Sequence, residues 1–327
     1  MSYCLIDGKA IAAQIKEEVK EKARILTEKG TTPCLAVIQV GNDPASTVYV
    51  GNKKKACEFC GIRSLSFELP ETITEEELLA KIDELNQDSS VHGILVQLPL
   101  PKHIREDAVI RRILPEKDVD GFHPINVGKL CIGEEGYVSC TPAGIVELLK
   151  RSNIQIAGKE CVIIGRSNIV GKPMNMLMIR ENATVTVCHS KTENLQEVCK
   201  RADILIVAMG KPKFVDASYV KPGAVVIDVG IHRNAEGKLC GDASNFSFII
   251  IYPLAFRSFS YLSDHDPLFN SSSSSSPISM RLSANLLSKS SSVMVSGAKS
   301  PSSIYCPNCT GAISSIKIAF SAESTGI

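Results

Sequence analysis

The sequence predicts an α/β protein with two sheet-containing domains and an atypical C-terminal tail. Apolar runs of strand length alternate with helical patterns over the first 243 residues, which is typical of βαβ units around parallel sheets. The polar, glycine-rich stretch GEEGYVS at 133–139 interrupts this pattern and indicates a boundary. We therefore expect one α/β domain over residues 1–138 and a second over residues 139–243.

The first half begins with a predicted helix at about 9–29. Thr74 and Glu77 have the spacing of a capping box, which predicts a capped helix in TITEEELLAKIDELN. Thr141 followed by Pro142 predicts another helix start, with a hydroxyl cap and a proline at the first helical position. The remaining elements are the strands CLAVIQVG, RSLSFEL and HGILVQLPLP, and a helix that contains YVGNKKKACEFCGI at 49–62.

The second half repeats the alternation with shorter connections, which is typical of a Rossmann-like nucleotide-binding unit. A predicted helix reaches about Glu181, and another ends at about Lys200. The predicted strands are CVIIG, ATVTVCHS, DILIVA and AVVIDVG, and the loop RSNIVG follows the first of them.

The composition changes after Asp242. Residues 244–327 contain 25 serines in 84 positions, including an unbroken run at 271–276, and only 8 charged residues. Apart from the apolar run FSFIIIYPLAF, they have no clear helical or strand periodicity. Such a composition predicts a segment that is either disordered or mis-translated.

Charge and composition argue against several classes of protein. The 36 basic and 35 acidic residues nearly cancel and form only short runs, so neither nucleic acid nor an anionic membrane is an expected partner. No apolar run approaches the roughly 20 residues of a spanning helix, and the acidic N-terminal region suits no targeting peptide. Twelve cysteines, mostly single within apolar stretches, are typical of reduced thiols in a cytoplasmic protein.

Two Cys-x-x-Cys pairs, Cys57/Cys60 and Cys306/Cys309, have the ligand spacing of a zinc site. The first pair falls on the buried side of a predicted helix, and the second falls in the serine-rich tail. We therefore expect no metal site. His123, in GFHPIN, is expected to shape its loop.

Three consecutive lysines follow a tyrosine within the helix predicted at 49–62. Because successive helical residues rotate by about 100°, Tyr49, Lys53 and Ala56 share one face, whereas Lys54 and Lys55 point elsewhere. A lysine enclosed beside a tyrosine can act as an acid or base near neutral pH. The spacing by itself favours the alternative, a tyrosine packed under a solvent-exposed lysine.

Two further segments place polar side chains where strands are expected to end. Gln97 stands at the end of GILVQLP, and Asp118 and Asp120 lie in the glycine-containing loop KDVDGFHP. Open α/β sheets build their sites at such strand exits. Together with Tyr49 and Lys53, these side chains predict a pocket for an amide-rich heterocycle in which a proton is moved.

In combination, seven segments resemble the bifunctional methylenetetrahydrofolate dehydrogenase/methenyltetrahydrofolate cyclohydrolase family. The resemblance runs in order, with the family's spacing, from about residue 3 to Asp242. It implies a folate-binding catalytic domain over 1–138 and a Rossmann-like NADP-binding domain over 139–243. The segments are VGNDPASTVYVGNKKKAC, GILVQLPLP, PEKDVDGFHPINVGKL, CTPAGIVELL, GRSNIVGKPM, TVCHSKT and VIDVGI.

The resemblance also implies residue roles. Lys53 would be the catalytic acid/base, with Gln97 tuning it by a hydrogen bond. Tyr49 would stack on and orient the folate, and Asp120 would anchor the pterin ring. The implied reactions oxidise 5,10-methylenetetrahydrofolate to the methenyl cation and hydrolyse that cation to 10-formyltetrahydrofolate.

The cofactor is expected to be NADP. The turn after CVIIG carries Gly165 and Gly171 and leads into a helix, where backbone N–H groups can hold a pyrophosphate. NAD-specific sites usually have an acidic residue at the end of the next strand, whereas this chain has HSKT at 189–192. The alternative is a solvated turn without a ligand. By resemblance, Arg166, Ser167, Ser190 and Ile231 join the cofactor site.

The resemblance ends after GDA at 241–243. A family segment close to TPVPGGVGPMT and a returning helix are absent from 244–327. Two hypotheses explain this difference: a frameshift or similar fault replaced the true C-terminus, or the tail is genuinely divergent.

The leading hypothesis is a homodimeric enzyme with both activities. The alternatives are a catalytically impaired or non-catalytic dimerising relative and, ranked last, another nicotinamide-dependent dehydrogenase.

Overall fold

The computed structural model describes residues 5–234, 236–244 and 250–251. The predictions for the serine run at 271–276 and for the Cys306/Cys309 pair lie outside the described residues. Over the described part of the chain, the α/β fold expected from the sequence is confirmed.

The first half forms a three-stranded parallel sheet in the order β2–β1–β3, flanked by helices. All three strands and the first three helices lie at predicted positions, whereas α4 and α5 occupy a stretch for which no helix was predicted. The elements are α1 (Gly8–Glu28), β1 (Cys34–Val40), α2 (Pro44–Cys60), β2 (Arg63–Leu69), α3 (Glu75–Gln87), β3 (Gly93–Val96), α4 (Glu106–Arg112) and α5 (Pro124–Ile132).

The second half forms a parallel sheet in the order β10–β7–β6–β4–β5, as expected for a Rossmann-like unit. A short antiparallel hairpin, β8–β9, follows β7, and β10 lies within the apolar run of the tail and pairs with Val226 and Ile227. The elements are α6 (Cys140–Arg151), β4 (Glu160–Ile164), α7 (Gly171–Arg180), β5 (Thr184–Cys188), α8 (Leu195–Lys200), β6 (Ile204–Val207), β7 (Val225–Asp228), β8 (His232–Arg233), β9 (Leu239–Cys240) and β10 (Ile250–Ile251).

One apolar core joins the two halves. Leu35 on β1, Ile145 on α6 and Ile163 on β4 belong to the same cluster of buried side chains. Alternate residues of β1, such as Ala36 and Ile38, point instead into a separate core that covers the other face of the first sheet. Burial of apolar surface therefore stabilises both the individual sheets and their relative position.

Helix α1 is amphipathic, with Ala12, Ile15, Val19 and Ala23 forming its buried stripe. Charged side chains cover its remaining surface, including Arg24, which pairs with glutamates on the same helix. Among the described residues, no helix combines the length and the apolar character needed to cross a bilayer.

The start of α6 differs from the prediction. Ser139, not Thr141, occupies the N-cap position, and the helix begins at Cys140, so Pro142 is the third helical residue. The Ser139 hydroxyl does not cap the helix but donates a hydrogen bond to the carbonyl oxygen of Ile169, 2.6 Å away. The Ser139 side chain thus links two segments that lie 30 residues apart in the chain.

The predicted capping box at the start of α3 is confirmed. Thr74 Oγ1 accepts a hydrogen bond from the Glu77 amide at 3.2 Å, and Glu77 Oε2 accepts one from the Thr74 amide at 2.9 Å. Both bonds satisfy backbone N–H groups that have no partner within the helix.

Replacing Thr74 by Ala is expected to lower the free energy of unfolding by about 1 kcal/mol, because it removes the hydroxyl cap. Urea denaturation followed by circular dichroism measures this change. Thr72→Ala, at an exposed threonine just before the helix, is the matched control and should shift the midpoint much less. Equal shifts in the two variants would show that the capping box does not stabilise the fold.

Candidate active site

A cavity of about 510 Å³ lies between the two halves of the protein. Four residues predicted for the substrate site line it: Tyr49 and Lys53 from α2, Gln97 after β3, and Asp120 from the following loop. Ile231, predicted for the cofactor site, lines its opposite side after β7. The two halves thus face a common space, in which a substrate and a cofactor can meet.

Lys53 is buried, whereas its two neighbours are exposed. Only 6% of Lys53 is accessible to solvent, and its ammonium donates a hydrogen bond to Gln97 Oε1 at 2.8 Å. Lys54 and Lys55 point away from the cavity into solvent. The helical spacing therefore identified the enclosed lysine correctly, and the alternative of an exposed lysine at position 53 is wrong.

Local sequence signals hold α2 at both ends. The Asp43 carboxylate accepts a hydrogen bond from the Ser46 amide at 2.8 Å, and this bond lowers the pKa of Asp43. Pro44 occupies the first turn, and Gly61 ends the helix in the left-handed conformation. These caps set the register of the helix and hence the direction of Lys53.

Two hydrogen bonds hold Gln97: one fixes its backbone at the end of β3, and the other orients its side-chain amide. Its backbone N–H donates to the Ile38 carbonyl oxygen at 2.8 Å, so Gln97 extends the pairing of β3 with β1 by one residue. Its side-chain nitrogen donates to the Leu98 carbonyl oxygen at 2.6 Å. The side-chain oxygen therefore faces Lys53 as an acceptor.

The two aspartates of the DVDG loop have different environments. Asp118 is buried, and its Oδ2 accepts hydrogen bonds from the His123 amide and from the Asn126 side chain, each at 2.9 Å. The His123 ring nitrogen Nδ1 accepts from the Ile125 amide at the start of α5, as expected for a loop-shaping residue. Asp118 and His123 thus fix the loop, and Asp120 is the aspartate that faces the cavity.

The remaining predicted cofactor residues lie outside the cavity wall, at the carboxyl edge of the second sheet. Gly165 follows β4 and donates its N–H to the Cys188 carbonyl oxygen at the end of β5. Because β4 and β5 are parallel and in register, Arg166 and Ser167 emerge at the same edge as Ser190. Ser167 Oγ accepts from the Val170 and Gly171 amides, so it also shapes the turn.

This edge fits a phosphate-bearing dinucleotide. A Cβ atom on Gly171 would lie 2.2 Å from the Gly165 carbonyl oxygen, so only glycine allows so tight a turn before α7. The N-terminus of α7 attracts anions. The exposed side chains of Arg166, Ser190 and Lys191 add basic and hydroxyl groups without a carboxylate.

Several cavity residues were not predicted. Ser139 and Ile169 had no signal in the sequence, because their hydrogen bond links segments far apart in the chain. For the residues after β7 a signal existed, since strand exits in α/β sheets commonly contribute to sites. The unpredicted lining residues are Leu95, Val96, Leu98, Phe122, Ser139, Cys140, Thr141, Ile169, Val170, Val229, His232, Arg233 and Leu239.

Two aspartates without exposed surface lie behind the strand exit at β7. Asp228 accepts hydrogen bonds from the amides of Gly230, Asp242 and Ala243 at 2.9–3.0 Å. Burial nevertheless raises the pKa of Asp228, with the neighbouring Asp242 contributing in the same direction. The two carboxylates tie the chain after β7 to the segment at 242–243.

The Cys57/Cys60 pair is fully buried on α2. Burial raises the pKa of the Cys57 thiol, which disfavours the thiolate form that a zinc ion requires. Both cysteines belong to the apolar core beneath the helix. They therefore act as small apolar side chains that seat α2.

Comparisons with known proteins identify the same two units. The model of the tetrahydrofolate dehydrogenase/cyclohydrolase catalytic domain matches residues 6–120, and that of the corresponding NAD(P)-binding domain matches residues 139–249. The bifunctional protein FolD of Agathobacter rectalis is 71% identical over 238 residues, which cover 73% of this chain and 85% of that protein.

Solved structures agree. The FolD methylenetetrahydrofolate dehydrogenase/cyclohydrolase of Campylobacter jejuni matches with a TM-score of 0.75 and 52% identity, over 76% of this chain and 90% of that chain. The Trypanosoma brucei methylenetetrahydrofolate dehydrogenase-cyclohydrolase, complexed with NADP and an inhibitor, matches with a TM-score of 0.71 and 38% identity over the same shares. Sequence and fold together show that this chain belongs to the tetrahydrofolate dehydrogenase/cyclohydrolase family.

Proposed function

We propose that this chain oxidises 5,10-methylenetetrahydrofolate with NADP and then hydrolyses the methenyl product to 10-formyltetrahydrofolate. Family membership and the identity to bifunctional FolD proteins support both activities. The observation that carries the proposal is the buried hydrogen bond between Lys53 and Gln97 in the wall of a cavity shared by the two halves. A lysine is rarely buried unless it is paired, and its burial beside a cavity favours a role in chemistry.

Lys53 is the proposed acid/base of the hydrolysis. Water adds to the electrophilic methenyl carbon, and a proton must then reach the ring nitrogen that leaves as the bridge opens. Lys53 assists this proton movement from the cavity wall. Gln97 accepts a hydrogen bond from the ammonium and thereby orients the lysine in the cavity wall.

Tyr49 and Asp120 are the proposed folate-binding residues. Both line the cavity beside Lys53. The Tyr49 ring offers a flat surface on which the substrate can stack. A carboxylate at Asp120 can accept hydrogen bonds from the amide and amino N–H groups of a pterin. Together they would hold the one-carbon bridge near Lys53, where proximity accelerates proton transfer.

Bound NADP would supply the acceptor for the hydride that leaves the methylene carbon. The proposed binding residues are Gly165, Arg166, Ser167, Gly171 and Ser190 at the carboxyl edge of the second sheet, with Ile231 inside the cavity. Arg166 can pair with a phosphate through its guanidinium group, and Ser190 can donate its hydroxyl to the same group. The absence of an acidic side chain at 189–192 favours the 2′-phosphate of NADP.

A second candidate function is a catalytically impaired relative that retains cofactor binding. The TPVPGGVGPMT-like segment expected from the family is missing from residues 244–327, and this observation favours impairment. The active bifunctional enzyme is favoured by the presence of all four proposed substrate-site residues, Tyr49, Lys53, Gln97 and Asp120. Cofactor binding without folate turnover would identify the impaired relative.

Three further proposals concern organisation. The two separate sheets support a catalytic domain at 1–138 and a cofactor domain at 139–243. The serine-rich composition supports an atypical segment at 244–327. A cytoplasmic location is supported by the free cysteines of the described residues. A homodimer is supported by edge strand β5, since Val187 and the nearby Ile179 on α7 expose apolar side chains there.

Replacing Lys53 by Met is expected to reduce cyclohydrolase activity at least about a hundredfold, because it removes the acid/base but keeps the side-chain length. Absorbance follows the methenyl substrate, and chromatography follows the 10-formyl product. Lys54→Met, at the exposed neighbour, is the matched control and should retain activity. Full activity of the Lys53 variant would show that the lysine takes no part in the hydrolysis. A parent chain that binds NADP but is inactive would support the alternative of a catalytically impaired relative.

Replacing Ser190 by Asp is expected to raise the KM for NADP about tenfold or more, because the new carboxylate would repel the 2′-phosphate. The KM for NAD, which lacks that phosphate, should change little. Steady-state dehydrogenase assays with both cofactors measure the ratio, and Ser66→Asp on the first sheet is the matched control. An unchanged preference for NADP would place the 2′-phosphate elsewhere.

The mass in solution is expected to be twice the chain mass of 35.3 kDa. Replacing Val187 by Lys at the edge strand should give the monomer, because a charge would be buried in the interface. Light scattering after size exclusion measures both masses. Ile132→Lys, at an exposed apolar residue of α5, is the control and should leave the dimer intact. A dimer that tolerates Val187→Lys would exclude this edge as the interface.

A further inference from the structure

The hairpin β8–β9 contributes to the wall of the cavity that Lys53 also lines. Ile231, His232 and Arg233 line the cavity before the turn, and Leu239 lines it after the turn. The hairpin follows directly from the carboxyl end of β7, so its position depends on how it is held to the second sheet. Within the hairpin, the His232 side chain forms a hydrogen bond with Asp242.

Asp242 anchors this hairpin to the end of β6. Its Oδ2 accepts hydrogen bonds from the amides of Met209 and Gly210, at 2.8 and 2.9 Å. Its Oδ1 lies 2.7 Å from the Nε2 atom of His232. Asp242 has no exposed surface, and a Cβ atom on Gly241 beside it would overlap the carboxylate of Asp228, so this contact has little freedom to move.

These contacts determine which nitrogen of His232 remains for a ligand. An ionised carboxylate has no hydrogen to donate, so Asp242 Oδ1 acts as the acceptor at His232, and Nε2 carries a hydrogen. Nδ1 is then the other polar atom of the ring, and no described residue forms a hydrogen bond with it. The His232 side chain is 22% exposed and lines the cavity, so a bound molecule can reach this nitrogen.

The strand order indicates which part of the cofactor reaches His232. In open parallel sheets the ligand crosses the carboxyl edge where the strand order reverses, here between β4 and β6. The proposed 2′-phosphate site at Ser190 lies on the β5 side of that point. The nicotinamide must therefore extend toward β6 and β7, and β7 lies two strand spacings, about 10 Å, from β4. His232 follows β7 and faces the same cavity as Lys53.

We infer that His232 Nδ1 accepts a hydrogen bond from the carboxamide N–H group of the nicotinamide, with Asp242 fixing the required tautomer. The pair orients the nicotinamide ring so that its reacting carbon faces the folate side of the cavity. His232 is thus a cofactor-orienting residue, and Asp242 is a positioning residue that acts through it. This inference rests on NADP as the cofactor.

Calorimetric titration of the full chain with two oxidised cofactors tests the hydrogen bond directly, without turnover. The cofactors are NADP and its 3-acetylpyridine analogue, in which a methyl group replaces the amide NH₂. The parent chain is expected to bind NADP roughly fivefold more tightly, the factor that corresponds to one ordinary hydrogen bond. His232→Phe should bind NADP roughly fivefold more weakly and should bind the two cofactors equally. His103→Phe, at an exposed histidine that does not line the cavity, is the matched control and should retain the preference.

Asp242→Asn separates the tautomer from simple loss of structure. The amides of Met209 and Gly210 require an oxygen, so the new NH₂ group must face His232 Nε2, and the ring hydrogen moves to Nδ1. Nδ1 then donates to the carbonyl group that both cofactors share. This variant should therefore lose the preference for NADP while it still binds both cofactors.

Each outcome of the titration decides the inference. If the pair had a merely structural role, the variants would bind both cofactors more weakly by the same factor. The ratio of the two affinities would then be unchanged, and this result would overturn the inference. Equal binding by the parent chain, or a selective loss of cyclohydrolase activity in His232→Phe with an unchanged ratio, would do the same. Failure of the parent chain to bind either cofactor would overturn the cofactor assignment itself, together with this inference.

Discussion

The hydrogen bond between Lys53 and Gln97 is the constraint on which the site depends. A lysine that is 94% buried loses most of its hydration, and it requires a polar partner whose position is fixed. Gln97 meets this requirement because it extends a strand pairing and its amide is turned by the Leu98 carbonyl oxygen. The first sheet thus supplies the acceptor, and α2, capped at both ends, supplies the donor.

The cavity is a property of the whole chain and not of either half. The apolar core that includes α1, α6 and α7 sets the distance between the two sheets. Ser139, at the start of α6, reaches across to the Ile169 carbonyl oxygen in the turn before α7. Both residues line the cavity, so this hydrogen bond fixes part of the wall that the second half contributes.

The protein buries its charged groups in two chemically different ways. The ammonium of Lys53 donates to the side-chain oxygen of Gln97, which belongs to a neutral amide. Asp228 and Asp242 meet backbone N–H groups and a histidine, which fix their geometry and that of the hairpin beside them. The first contact holds a lysine in the wall of the cavity, and the second set of contacts holds the hairpin that also lines it.

Much of the fold could be predicted from the sequence, because the burial of helices and strands has a local period. This period separated Lys53 from Lys54 and Lys55, and it located the strands of the first sheet and four of the five strands of the second. The prediction was wrong at Thr141: the helix begins at Cys140 with Ser139 at the N-cap, and the Ser139 hydroxyl bonds to the Ile169 carbonyl oxygen, a contact that local sequence does not reveal.

The sequence by itself determined most of the helices and strands, the enclosed lysine and the resemblance to one enzyme family. The tertiary structure alone decided the direction of the Gln97 amide and the pairing of His232 with Asp242. It also decided that Asp118 is buried within the loop, whereas Asp120 lines the cavity. The reason is physical: periodicity reports which face of an element is buried, whereas a hydrogen bond between separate segments depends on how those segments pack.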